Sequence, residues 1–266
     1  MRIFAVLILG VFVLSGAKAT EESDVVLLAT TTSTENSGLL DYLVPEWQKD
    51  TGYILKTVAV GTGKALQLGM AGDVDVVMVH AKESELKFIE EGYGVNRTKF
   101  MYNDFVIVGP ADDPLNLVSA STAASALATI SKSKSIFISR GDDSGTHKKE
   151  LQLWELADVD PGGDWYREVG QGMGKTLLIA GELGGYTITD RGTWLSVKDK
   201  LPLEILFQGD PPLFNQYSIM AVNPDLHEVN FDGASALIDW VTSEKGQIMI
   251  DAYKLKGQKL FNANAQ

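Results

Sequence analysis

Short apolar runs that end in small polar residues, each followed by apolar positions at helical spacing, recur along most of the chain. Residues 24–29 (DVVLLA) form such a run, and the hydroxyl series Thr30-Thr31-Thr32-Ser33-Thr34 closes it. Leu39, Leu40, Leu43, Val44 and Trp47 then recur at helical intervals until Thr51-Gly52, which predicts a strand, a polar turn and a helix. A strand over 54–60, the turn Gly61-Thr62-Gly63 and a helix over 64–70 repeat the order, as do a strand over 74–79 and a charged helix over 82–91. Residues 105–108 and 217–222 read as strands followed by Pro110 and Pro224, and as paired crossovers.

A second unit of the same kind lies between those crossovers. An Ala- and Ser-rich helix over 120–130 leads to a strand over 135–139. The turn Arg140-Gly141-Asp142-Asp143-Ser144-Gly145-Thr146 then opens a helix reaching residue 157. A turn at 162–164, a helix over 175–182, a strand over 186–189, a short helix over 191–197 and a strand over 203–207 follow. Helices over 234–242 and 246–255 fall back on the first unit. This alternation predicts an α/β fold of two lobes, each a mostly parallel sheet flanked by helices, joined by two hinge strands. The first lobe is expected to take residues 20–108 and 217–266, and the second residues 109–216. Small ligands bind in clefts between such units.

The first nineteen residues follow a different rule. Met1-Arg2 supplies a positive end, residues 3–14 are apolar apart from one Gly, and Ser15-Gly16-Ala17-Lys18-Ala19 gives a small-residue exit. That is the pattern of a secretory signal peptide over residues 1–19, too short for a membrane span. The net charge is -12, and loss of Arg2 and Lys18 with the leader leaves -14. Such acidity disfavours nucleic acid and anionic membrane surfaces as partners. It leaves room for a small anion in a locally positive pocket. With no cysteine in 266 residues, disulfides, thiol catalysis and Cys-ligated metals are excluded.

The strand-to-helix turns at Thr31-Thr32-Ser33-Thr34, Gly61-Thr62-Gly63-Lys64 and Asp142-Asp143-Ser144-Gly145-Thr146 share one composition. In parallel sheets these turns lie at the carboxyl ends of strands, where ligands collect. Helix N-termini there expose unpaired N–H groups and partial positive charge, and hydroxyls and glycines complete an oxyanion site. Any single turn of this kind is more simply explained as a Ser/Thr cap; the set on both lobes favours binding. Arg140 ends an apolar strand directly before such a turn, and its fork of donors suits an oxyanion. The plainer role is a surface pair with Asp142 or Asp143, and the two roles are compatible.

Other candidates weigh less. The run from Gly170 to Thr176 (GQGMGKT) lacks the first glycine of a phosphate loop, since Val169 stands there, and no core strand precedes it. His80, His147 and His227 show no metal-ligand spacing, and no nucleophile elbow accompanies His147. Capping or supporting roles are expected for all three. Trp47, Trp154, Trp194 and Trp240 read as core packing, and Asp73 and Asp75 as solvated loop and edge positions.

At the level of motifs the chain resembles the periplasmic tungstate-binding proteins of tungstate ABC importers, the TupA-like type II solute-binding proteins. The resemblance is carried by residues 29–34 (ATTTST) with Ser37-Gly38-Leu39-Leu40, residues 60–66 (VGTGKAL), residues 103–110 (NDFVIVGP) and residues 139–147 (SRGDDSGTH). Residues 186–191 (YTITDR) and Asn215-Gln216-Tyr217-Ser218 extend it over nearly the whole mature chain. It implies a hinged two-lobed binder, not an enzyme, that hands a tetrahedral oxyanion, tungstate or molybdate, to a membrane permease. It further implies that Thr32, Ser33 and Thr62 donate from one lobe, and that Arg140, Ser144, Gly145 and Thr146 serve from the other. Asp190 and Arg191 would stand near the cleft without being assigned as ligands. No cofactor and no protein-bound metal are expected, and the exported protein is expected to act as a monomer. The phosphate-binding branch carries a similar Arg-x-Asp-x-Ser-Gly-Thr turn, so a phosphate or sulfate receptor stays open as an alternative, and an exported hydrolase as a distant one.

Overall fold

The structure, a computed structural model, describes residues 24–142 and 144–265; the expected signal peptide and Asp143 lie outside them. The first lobe begins with β1 (Val25–Thr31), α1 (Thr32–Asn36), α2 (Leu39–Thr51), β2 (Ile54–Val60), α3 (Thr62–Ala71), β3 (Val76–Val79) and α4 (Lys82–Glu90). Strand β4 (Gly94–Pro110) then leaves it. The second lobe holds α5 (Ala123–Ser133), β5 (Phe137–Ser139), α6 (Gly145–Leu156), β6 (Tyr166–Glu168), α7 (Met173–Leu183), β7 (Thr187–Asp190), α8 (Arg191–Val197) and β8 (Leu203–Phe207). Strand β9 (Phe214–Val222) returns, followed by α9 (Phe231–Thr242), α10 (Glu244–Ala252) and the short strands β10 (Lys254–Leu255), β11 (Gln258–Lys259) and β12 (Asn262–Ala263).

In the first lobe the strand order is β2-β1-β3-β9-β4-β12. β4 continues into the second lobe, where it lies between β7 and β8, and an isolated bridge from Phe137 to Tyr186 joins β5 and β6 to that sheet. The expectation of mostly parallel sheets holds for β2-β1-β3 and for β5-β6, and fails at the crossovers, where every pairing of β4 and β9 is antiparallel. The reason is topological: one strand carries the chain out and the other brings it back, so neighbours must run in opposite directions.

Alternation along these strands fills a core on each face of each lobe. Val26 and Leu28 pack with Trp47 and Trp240 on one face of the first lobe, whereas Ala29 packs with Val77 and Phe88 on the other. In the second lobe Phe105 and Ile107 face Trp154 and Trp165, and Val106 and Val108 face Trp194. The tryptophans are thus packing residues, with Trp47 fully buried and Trp240 8% exposed. Between the lobes, Leu255 packs against a cluster of each, and Lys256 Nζ donates to the Ser196 carbonyl at 2.8 Å.

The solvated role expected of Asp75 is overturned. Its side chain is 8% exposed, and its carboxylate accepts from the backbone N–H of Leu27 and of Asn230, both at 2.7 Å. One anion thereby fastens the start of β1 to the segment that opens α9. Removing it leaves two inward-facing N–H groups without a partner, so Asp75→Ala is expected to lower stability by about 3 kcal/mol, measured as a shift of the urea midpoint at constant slope.

Candidate anion-binding site

Strand β4 works as a ruler for the space between the lobes. Val79 ends β3 opposite Ser218, which lies opposite Lys99, so the carboxyl ends of β1 and β3 stop near that level. On the other side Asp190 ends β7 opposite Phe105, and β7 runs against β4. The parallel strands of the two lobes therefore point their carboxyl ends at each other. Six residue steps along β4, from Lys99 to Phe105, separate the two levels, about 20 Å at strand rise. The turns that open the helices enter this gap from both sides.

In the first turn Thr31 caps α1, its hydroxyl accepting from the Thr34 N–H at 3.3 Å. The expected polar turn is itself this short helix, because the hydroxyl run supplies its own cap. Thr31 is buried, while Thr32 and Ser33 are exposed on the first turn of α1. Gly61 precedes α3 with no side-chain cap, and Thr62, half-buried, is that helix's first residue. Its amino end keeps free N–H groups.

The third turn belongs to the other lobe. Arg140 follows β5, and its Nε and Nη2 both donate to Oδ2 of Asp142, whose Oδ1 accepts from the Ser144 N–H at 3.2 Å. Burial alone would raise the Asp142 carboxyl, but hydrogen bonds from Ser144 and Arg140 outweigh it and hold the group below its ordinary value. The pairing weighed against binding is thus present, and it orients the guanidinium, leaving Nη1 uncommitted to Asp142. Ser144 caps α6 by accepting from the His147 N–H at 3.3 Å; Gly145 is exposed and Thr146 is 8% exposed. Gly141 has φ +57°, and a Cβ there would lie 2.6 Å from that of Glu168, so only glycine fits this bend.

Polar groups on and beside the crossover strands are paired with one another. Arg191 grips Asp104 through two bonds of 2.6 Å and donates to Gln208 Oε1 at 2.7 Å. Asp190 caps α8 by accepting from Thr193 N–H and hydroxyl at 2.8 and 2.7 Å. Both residues are committed to structural hydrogen bonds. His80 sits within 3.3 Å of the Thr31 and Ser33 hydroxyls, and Asn103 and Asn215 back it from β4 and β9. His227 bonds the Met70 carbonyl at 3.0 Å, at the carboxyl end of α3. Among the described residues no group of three or more His, Asp or Glu side chains is arranged to hold a metal ion. The glycine-rich run at 170–174 leads into α7 beside Arg140, the Gly170 N–H donating to the Arg140 carbonyl at 2.8 Å.

An open groove of about 560 Å³ lies elsewhere, between β8 and residues 118–121. Its lining includes Asp210 and no Lys or Arg, so it does not offer an anion a cationic partner.

Comparison with known proteins decides the family. A PBP superfamily domain model matches residues 18–245. The tungstate-binding protein TupA of Peptoclostridium acidaminophilum is 51% identical over 251 residues, covering 92% of this chain and 88% of that protein. The chain belongs to the TupA family. Among solved structures, the tungstate-binding protein TupA of Desulfovibrio alaskensis matches with TM-score 0.86 at 47% identity, over 91% of this chain and 99% of that one. The tungstate ABC transporter structure from Geobacter sulfurreducens matches with TM-score 0.76 at 53% identity, over 86% and 98%. These relatives of the TupA family are named for binding and transport, which fits a binder rather than an enzyme.

Behind the Arg140 turn, sequence inspection missed Glu150. It is 2% exposed, and its Oε1 accepts from Trp154 Nε1 at 3.1 Å and the Tyr166 hydroxyl at 2.8 Å. Ser139 also bonds to its side chain, and Ser139 Oγ in turn accepts from the Gly141 N–H at 3.2 Å. Burial raises the Glu150 carboxyl above its ordinary value of 4.5, against the pull of these donors. A raised folded-state value means that stability is complete below the ordinary range and falls as pH rises through the elevated one. Glu150→Gln removes that loss, so its melting temperature relative to the unaltered protein is expected to rise between acid and neutral pH in paired thermal scans.

Proposed function

We propose that this chain is the extracytoplasmic substrate-binding component of an ABC importer, and that it captures tungstate, or its near-isostere molybdate, between its lobes. The observation that carries this reading is the facing of carboxyl strand ends across β4, with hydroxyl-rich helix starts on both sides and one arginine. The names of the relatives supply the anion. In this reading Thr32, Ser33 and Thr62 donate from the first lobe, and Arg140, Ser144, Gly145 and Thr146 from the second. The lobes divide at residues 108/109 and 216/217 and close on the ligand by bending at the crossovers. The leader over residues 1–19 directs export to the periplasm, where the protein works as a monomer and delivers the anion to a membrane permease. Among the described residues no helix is long and apolar enough to cross a membrane.

The chemistry of the donors suits this ligand. Tungstate and molybdate are dianions without a proton at neutral pH and only accept hydrogen bonds. Nanomolar affinity corresponds to about -12 kcal/mol. Bonds to a charged group contribute about 1.5–3 kcal/mol each, so about six to eight preorganised donors suffice. Hydrogen phosphate also needs an acceptor for its own proton. Asp142 accepts from Arg140 through one oxygen and from Ser144 through the other, yet each carboxylate oxygen has room for a further bond, so the phosphate alternative is decided by a comparison of ligands.

A thermal-shift panel at equal concentrations of tungstate, molybdate, sulfate and phosphate is expected to show the largest stabilisation with the first two. Preferential stabilisation by phosphate would overturn the assignment. Arg140→Glu is expected to abolish detectable tungstate binding in calorimetry, because a repelled charge replaces an attracting one. Small-angle scattering is expected to give a smaller radius of gyration with saturating tungstate; identical curves would rule out closure.

A further inference from the structure

The environment of His80 fixes where its protons lie. Nδ1 stands 3.1 Å from Oδ1 of Asn215. The Asn215 amide nitrogen donates to Oδ1 of Asn103 at 2.8 Å, so the oxygen is the atom turned toward the imidazole. An amide oxygen only accepts, and Nδ1 therefore carries the ring proton. Burial holds the imidazole below its ordinary pKa, opposed by the Asn215 bond and the charge of Asp190. The ring is neutral, and Nε2 presents a lone pair to the first anion turn.

Two hydroxyls compete for that lone pair, Thr31 and Ser33, each 3.3 Å away. Their surroundings decide between them. Thr31 is 4% exposed; its oxygen accepts from the Thr34 N–H and lies 2.7 Å from Thr34 Oγ1. With its own proton on Nε2, Thr31 uses its two lone pairs for the Thr34 N–H and the Thr34 hydroxyl. Ser33, exposed and 3.0 Å from that saturated oxygen, has one further partner, the buried Tyr217 hydroxyl; with that hydroxyl giving its proton to Ser33, the Ser33 proton is sent outward. We propose that His80 is a positioning residue of the anion site, an acceptor fixed by Asn103 and Asn215 that takes the Thr31 hydroxyl proton and commits Ser33 to donating into the gap. The role rests on the anion-binding reading above and goes beyond it by assigning a residue that sets the direction of a donor. Because Asn103 lies on β4 and Asn215 on β9, the relay also ties the first turn to both crossover strands.

The test combines spectroscopy of the unaltered protein with two variants. Imidazole nitrogen-15 spectra are expected to show His80 neutral, with the proton on Nδ1, before and after tungstate is added. His80→Phe keeps an aromatic ring against Tyr217 but no acceptor, and is expected to weaken tungstate binding by about 10- to 100-fold in calorimetry. His80→Gln can place an acceptor oxygen near the Nε2 position and is expected to recover most of that loss, which a merely space-filling histidine would not require. A proton on Nε2, or undiminished affinity in His80→Phe while the unaltered protein binds tungstate, overturns the role of His80 alone. Failure of the unaltered protein to bind any oxyanion overturns the anion reading and this role with it. If His80→Phe does not fold, the nitrogen-15 spectrum and the His80→Gln titration decide.

Discussion

The organisation of this molecule depends on one strand that belongs to two sheets. From Gly94 to Asp104 β4 pairs with β9, and from Phe105 to Pro110 it pairs with β7 and β8. Since β3 runs with β4 and β7 against it, the carboxyl ends of both sheets must confront each other near residues 99–105. No side chain has to be specified for this to happen. Strand direction alone sets the three polar turns at the facing carboxyl ends of the two lobes; in the proposed function their residues then determine what lies between them.

Within the turns, the same groups cap helices and remain suited to an anion. A hydroxyl accepts an N–H bond through its oxygen while keeping a proton to give, so Ser144 stabilises α6 without losing its capacity to donate. Arg140 shows the charged version: two of its donor atoms go to Asp142, and the pair holds the guanidinium plane in place before any ligand arrives. Preorganisation of this kind reduces the entropy lost on binding. It also explains why composition alone could not separate capping from binding at the first and third turns, which do the first in a way that permits the second.

The sequence was most informative where one periodicity ran uninterrupted. Strand β2, helix α8 and strand β8 fall within the bounds read from the pattern, and the three hydroxyl-rich turns were found at helix starts. It was least informative on β4, for which only residues 105–108 were recognised. The segment before them mixes Arg97, Lys99, Asn103 and Asp104 into the strand, and register shifts after Val95 and Lys99 break the two-residue period. Asp75 was misjudged because a carboxylate beside a strand looks the same in sequence whether it meets water or two backbone N–H groups. Glu150 and the Asn103–Asn215 pair were invisible for a related reason: apart from Trp154 on the same helix, their partners lie 11 or more residues away, joined only by the fold. The Asn-Asp and Asn-Gln pairs set against apolar strands were the available signal.

An acidic protein that captures a dianion has to solve an electrostatic problem, and its two lobes solve it differently. With a net charge of -12 the body repels the ligand at long range, but salt at physiological strength screens that repulsion within about 8 Å. What matters is the local field. The second lobe supplies a full positive charge at Arg140, partly balanced by Asp142. The first lobe supplies helix starts, exposed hydroxyls and a neutral imidazole. A dianion resting on the first lobe alone would meet dipoles, hydroxyls and the exposed Lys64 of the second turn, and on the second alone a charge already shared with a carboxylate. If the lobes close on the anion as proposed, the space between them satisfies it from both sides, and the gain from bringing them together is greatest for a ligand of full double charge. That difference in contact between open and closed arrangements is what a ligand needs in order to shift a hinge, and it makes charge, ahead of size, the first property the cleft can select.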